Sequence, residues 1–317
     1  MSKYRNALPQ QDGTTLFLAD GGIETTLIFL NGLELPYFAA FDLMRTKEGR
    51  ETLRQYYIPF IETARQNGFG FILDGPTWRA NPDWARKLGY SKEALAAVNQ
   101  DSIALLEELR EAYETPDFPM VVSGAVGPRG DGYDPGQIMS VEEATAYHSE
   151  QIDVIADAGA DMVGAFTLTN VNEAIGITRA AQTARIPVAI SFTLETDGAL
   201  PTGQPLQEAI EAVDAATGSG PSYYMINCAH PTHIENAFAR GGAWLKRLRG
   251  LRANASKRSH AELNEAPDLD AGDPVELGGQ YRDLMRRFPH FTIFGGCCGT
   301  DTRHIACIGS ACRLAAA

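Results

Sequence analysis

Short, uninterrupted apolar runs recur along this chain, each followed by a longer stretch of helical periodicity. The runs are Leu16–Ala19, Phe69–Leu73, Met120–Val122, Met162–Ala165, Val188–Phe192, Tyr223–Ile226, a weaker Leu248–Leu251, and Phe291–Phe294. Glu51–Gln66, Glu93–Tyr113, Val141–Ala158 and Pro205–Ala216 are among the helix-like stretches between them. A strand that is apolar on both faces must be covered on both faces, as in a parallel sheet flanked by helices. About eight such units suit a (β/α)8 TIM barrel, for which ~250 residues is typical. An open doubly wound sheet is the competing arrangement. The barrel is the expectation, as one domain over residues 1–317, because no low-complexity linker divides the chain. The polar segment Ser256–Pro274 reads as a long excursion between the seventh and eighth strands.

Charge narrows the partners. The formal net charge is −13, which argues against nucleic acid, since neutralising phosphates needs a basic surface. No apolar run approaches the ~20 residues of a membrane-spanning helix. The segment Met1 to Gln11 is polar and lacks the apolar centre of a signal peptide. These features predict a cytoplasmic protein without membrane or nucleic-acid partners, whose oligomeric state the sequence leaves open. The cysteines agree with a reducing compartment. There are 5, an odd number, all in the last third of the chain. That distribution suits a metal or reactive-thiol site better than a disulfide framework.

The strongest local signal is Gly295-Gly296-Cys297-Cys298-Gly299. Adjacent cysteines on an extended backbone point apart, but flanking glycines allow the positive-φ and close-approach geometries that turn both sulfurs to one point. A third thiolate, Cys228, follows the strand Tyr223–Ile226 directly. In a barrel, strands six and eight deliver their C-terminal ends to the same mouth. Three thiolates leave one tetrahedral position open, the mark of a catalytic zinc. A vicinal Cys297–Cys298 disulfide is the strained alternative. Cys307 and Cys312 fall on the last helix and read as packing residues. His230, His233 and His304 lie near these motifs, as helix-capping or solvated residues or as ligands.

At these residues the sequence resembles the homocysteine S-methyltransferase family, from about Leu16 to Arg313. Asp20-Gly21-Gly22 with Thr25 and Leu27 is similar to the family's first-strand motif. Gly124-Ala125-Val126-Gly127-Pro128 and Tyr133 resemble its third-strand loop, and Asn227-Cys228 and Gly296-Cys297-Cys298-Gly299-Thr300 its two zinc motifs. The resemblance implies the same barrel and Zn2+ on Cys228, Cys297 and Cys298. It also implies a thiol acceptor, homocysteine first, methylated by a cationic donor such as S-methylmethionine or a betaine, giving methionine. Asp20, with Gly21 and Gly22, would contact the acceptor's ammonium, and Asn227 would set the geometry beside the first ligand.

Two departures from the family pattern bear on specificity. Phe166 stands where the family usually ends strand four with a glutamate, and Glu24 stands where it usually has a small residue. Glu24 either substitutes for the missing carboxylate or caps the first helix. The loop Asp74–Trp84 is longer than the family's, with Trp78 where a tyrosine is usual. Tryptophan faces attract onium groups, so Trp78 is a candidate seat for the donor, and packing is its other use. Arg79 has a carboxylate ligand or Asp83 open to it. Two further readings stand beside this one. The first is demethylation of a betaine or dimethylsulfonium compound onto a non-homocysteine thiol. The second is a non-catalytic zinc-binding or thiol redox-sensing barrel.

Overall fold

The computed structural model describes residues 2–239, 241–266 and 268–316. Eight parallel strands close on themselves in sequence order: β1 Phe17–Leu18, β2 Gly70–Asp74, β3 Met120–Val126, β4 Met162–Leu168, β5 Val188–Phe192, β6 Tyr223–Asn227, β7 Leu248–Ala253 and β8 Ile293–Gly296. Phe17 pairs with Gly70 on one side and Ile293 on the other, so β1 closes the barrel although it is only 2 residues long. The expected (β/α)8 barrel is therefore the fold. The strands extend past the apolar runs at their C-terminal ends, to Asp74, Val126, Leu168, Asn227, Ala253 and Gly296. Of these ends, Asp74, Asn227 and Gly296 line a cavity, while Val126, Leu168 and Ala253 still pack in the core.

The continuous apolar character of the strands has a simple cause. One set of side chains, including Phe71, Leu73, Val122 and Phe294, packs outward against the helices. The alternate set, including Phe17, Ile72, Val121, Met162, Tyr223 and Ile293, fills the barrel interior. Helices start where the sequence supplies a cap: Thr46 before Lys47–Asn67, Ser91 before Lys92–Tyr113, and Asn170 before Val171–Thr183. Ser140 and Glu143 form a capping box before Val141–Asp157.

After β7 the chain makes the anticipated excursion, which holds the short helix His260–Glu265 before the helix Pro274–Arg287. That short helix brings His260 back over the mouth of the barrel. No helix among the described residues is long and apolar enough to cross a membrane.

Candidate metal centre and active site

The sulfurs of Cys228, Cys297 and Cys298 lie within 4.8 Å of one another at the C-terminal mouth. Cys228 follows β6 and the other two follow β8, strands separated only by β7. Among the described residues this is the one group of His, Cys, Asp or Glu side chains with metal-binding spacing. The sequence places the cluster correctly, and the flanking glycines act as expected in part: Gly299 takes the positive φ and a Cβ on Gly296 would overlap Thr300 Oγ1. The residue at positive φ is Cys228 itself, at 53°, together with Gly299 at 79°, and neither Gly295 nor Gly296. Glycine is also needed for close approach on the facing β1 loop. A Cβ on Gly22 would stand 2.5 Å from the Cys297 carbonyl oxygen, and one on Gly21 2.7 Å from that of Thr300. Gly21 and Gly22 thus seat the β1 loop on the cysteine loop.

Cys228 and Cys297 are joined as a disulfide with their Cα atoms 5.4 Å apart. The three sulfurs converge as expected, and the vicinal Cys297–Cys298 bond is not the one formed. The Cys228–Cys297 bond spans two strand ends because the barrel brings those ends together, which sequence spacing does not show. Cys298 remains a thiol, pushed up by burial. Three convergent sulfurs suit a thiophilic divalent ion, and holding one requires the Cys228–Cys297 bond to be reduced.

Polar groups orient each sulfur. The Asn227 amide Nδ2 donates to Thr167 Oγ1 at 2.8 Å and lies 3.8 Å from Cys297 Sγ. Its Oδ1 accepts from the Thr167 backbone N–H at 2.8 Å and from Ser191 Oγ at 2.7 Å. Tyr133 Oη is 3.4 Å from Cys298 Sγ, and its ring stacks on His260 at 4.0 Å. His260 Nε2 donates to the Cys228 carbonyl at 2.7 Å, while its Nδ1 lies 3.1 Å from Glu195. No sequence motif marks His260, which sits in the polar excursion. His230 caps the helix Pro231–Phe238, His233 reaches the Lys257 carbonyl, and His304 pairs with Asp301, so none of the three joins the cluster. Cys307 and Cys312 lie on the last helix, away from it.

A cavity of about 360 Å³ covers the cluster, lined by Asp20, Glu24, Trp78, Arg79, Phe166 and Asn227 among others. That volume is within the usual range for a small-molecule site. A larger depression, about 940 Å³, opens on the outside of the barrel between Thr26 and Arg303 and contains no cysteine. The cavity floor is a buried charge cluster that sequence reasoning did not identify. Arg252, in the weak seventh strand, forms ion pairs with Asp20 and, at 2.5 Å, with Asp74. Tyr56 donates to Asp20 at 2.9 Å. The Phe166 ring lies across the guanidinium, 5.1 Å from its carbon. Desolvation raises both carboxyls against the pull of Arg252, Asp74 to about 6. An arginine inside an apolar barrel strand was the available signal, since it requires carboxylates at neighbouring strand ends.

The β2 loop differs in part from its reading. The Trp78 indole N–H donates to the Phe166 carbonyl at 3.2 Å. Arg79 lies over both tryptophans, 5.0 Å from Trp78 and 4.2 Å from Trp84. A resident cation thus already lies over the ring proposed for the donor. Arg79 does not pair with Asp83, which binds Arg86 and Arg129 instead. Glu24 falls in the first turn of the short helix Ile23–Thr25 and lines the cavity.

A closed parallel barrel with three cysteine sulfurs converging at the C-terminal mouth of its strands defines a class of barrel enzymes. Within it, the homocysteine S-methyltransferase sequence profile matches residues 17–312, and the chain belongs to that methyltransferase family. Homocysteine S-methyltransferase 4 of Zea mays is 22% identical, with 94% of this chain and 90% of that protein aligned. Selenocysteine Se-methyltransferase of Brassica oleracea is 24% identical over 92% and 87%. The fold matches the homocysteine methyltransferase MmuM of Escherichia coli. In its oxidized form that structure superposes with a TM-score of 0.76 at 22% identity, covering 96% of this chain and 98% of that one.

Proposed function

We propose that this protein transfers a methyl group from a sulfonium or quaternary ammonium donor to a thiol, with zinc held by Cys228, Cys297 and Cys298. The observation that carries the reading is the convergence of three cysteine sulfurs from two strand ends beneath one cavity. Homocysteine, giving methionine, is the first acceptor and S-methylmethionine the first donor. When bound, zinc supplies a Lewis-acid position that draws the proton from a thiol whose ordinary pKa is about 8.5.

The chain's residues do the rest. Asn227, with its amide spent on Thr167 and Ser191, holds the Cys228 turn against the Cys297 sulfur. Tyr133 and His260 cover the cluster from the opposite side and limit water. Phe38, 44% exposed, overhangs the mouth, and its face suits a cationic donor, whereas the Tyr37 ring already carries Lys87 at 5.6 Å. Placing donor and acceptor in line within this enclosure is the main catalytic contribution available to the protein.

The Cys228–Cys297 disulfide favours one second reading, a thiol redox sensor on a barrel scaffold. A single set of measurements separates the two. Reduced protein should take up about one zinc per chain and convert S-methylmethionine and homocysteine to methionine, followed by mass spectrometry. Cys228→Ser, Cys297→Ser and Cys298→Ser should each lose most of the metal and the turnover, while Cys307→Ser and Cys312→Ser keep both. Full zinc in two of the first three variants would sink the site. Stoichiometric zinc without turnover across a broad panel of donors and thiols would leave the sensor.

A further inference from the structure

Two opposite charges face the cavity without touching. The Glu24 carboxylate meets no donor other than its own backbone N–H among the described residues. Arg79 donates to the Tyr37 carbonyl, while its Nε is buried with no partner. No carboxylate lies within ion-pair distance of Arg79 among the described residues. Each of the two is the strongest charge acting on the other, and Cys298 lies within the influence of both. Both line the same cavity.

The floor of that cavity offers an ammonium group little. Its carboxylates, Asp20 and Asp74, already hold the guanidinium of Arg252 beneath the Phe166 ring, and only Asp74 Oδ1 is left without a partner. A second cation there would meet a resident one. On the wall, neither Glu24 nor Arg79 has an ion-pair partner among the described residues, and Arg79 spends one N–H on the Tyr37 carbonyl. We propose that Glu24 and Arg79 form the subsite for the head group of an α-amino-acid thiol, Glu24 taking the ammonium and Arg79 the carboxylate. The inference rests on the methyltransferase reading and narrows its acceptor to a zwitterionic thiol.

The local physics supports this arrangement. Burial lifts the Glu24 carboxyl to about 7 and lowers Arg79, so each gains from a ligand group of opposite charge. Contact with Trp78 and Trp84 restricts where the Arg79 guanidinium can sit before any ligand arrives. A guanidinium so restricted is preorganised for a carboxylate, which reduces the ordering cost of binding. The adjacent Cys298 places the sulfur end of such a ligand toward the metal ligands.

The test is a matrix of two variants and three thiols, read by calorimetric binding to the reduced, zinc-loaded protein. Homocysteine carries both charges, 4-mercaptobutyrate lacks the ammonium, and 3-aminopropane-1-thiol lacks the carboxylate. Arg79→Gln should weaken homocysteine and 4-mercaptobutyrate by about ten- to a hundredfold and leave 3-aminopropane-1-thiol unchanged. Glu24→Gln should weaken homocysteine and 3-aminopropane-1-thiol to a similar degree and spare 4-mercaptobutyrate. The spared thiol shows in each case that the variant is folded and its metal site intact. Equal effects on all three thiols, or no effect on homocysteine, would overturn the subsite while leaving the methyltransferase reading in place. Failure of every thiol to bind the unsubstituted protein would remove both.

Discussion

Replacing Arg252 by methionine should expose how the cavity floor is held together. The substitution leaves Asp20 and Asp74 buried, 3% and 7% exposed, without their shared counter-charge. Breaking a buried ion network from one side costs about 3–5 kcal/mol. With an unfolding entropy of about 2.1 cal/mol/K per residue, that lowers Tm by roughly 5–8 °C for a chain of this length. The loss should depend on pH in a definite direction. A carboxyl raised in the folded state contributes stability below its unfolded pKa and loses it as pH rises through the folded value. For Asp74, at about 6 even beside Arg252, that window runs from about pH 4 to 6. Without the guanidinium both carboxyls move higher, so the window extends upward and the deficit deepens between pH 5 and 8. Urea unfolding followed by circular dichroism at pH 5 and pH 8 measures it. The triple variant Asp20→Asn, Asp74→Asn, Arg252→Met, which removes all the charges, should recover most of the loss and its pH dependence. An Arg252→Met deficit that is the same at both pH values would refute the electrostatic account and make Arg252 a packing residue.

Glu24→Gln should stabilise the protein above neutrality, by at most about 3 kcal/mol at pH 8, and do little at pH 4. The native carboxyl is raised to about 7, so the stability it supports at low pH is lost as pH rises through that value. Thermal denaturation across pH 4–8 reads the difference, and parallel curves would show that Glu24 is solvated. Asn227→Ala removes hydrogen bonds to Thr167 and Ser191 and should weaken zinc about ten- to a hundredfold. Competition with a chromogenic chelator checks this, and unchanged affinity would show that the Cys228 turn holds itself.

Much of this protein follows from local pattern. Strands covered on both faces must be apolar throughout, so each barrel strand from Leu18 to Phe294 announces itself, and capping residues such as Ser140 mark where helices begin. The cysteine motifs are likewise local, because Cys297, Cys298 and the glycines around them sit in a few consecutive residues and Cys228 directly ends a strand. The charges of the cavity are not local. Arg252 meets Asp20 across 232 residues and Asp74 across 178, and nothing near Arg252 in the chain hints at either partner. His260 reaches Cys228 only because a polar excursion folds back over the mouth. Of the two partners open to Arg79 in the sequence, its neighbour Asp83 is not taken, because the β2 loop packs Arg79 over the cavity against the tryptophans, where Glu24 is its strongest charge. Sequence alone determined the barrel and the identity of the sulfur cluster, since both rest on periodicity and short spacing. Tertiary structure decided which charges are spent and which sulfurs are joined, because side chains far apart in the chain compete for partners only after the strands have closed into a ring.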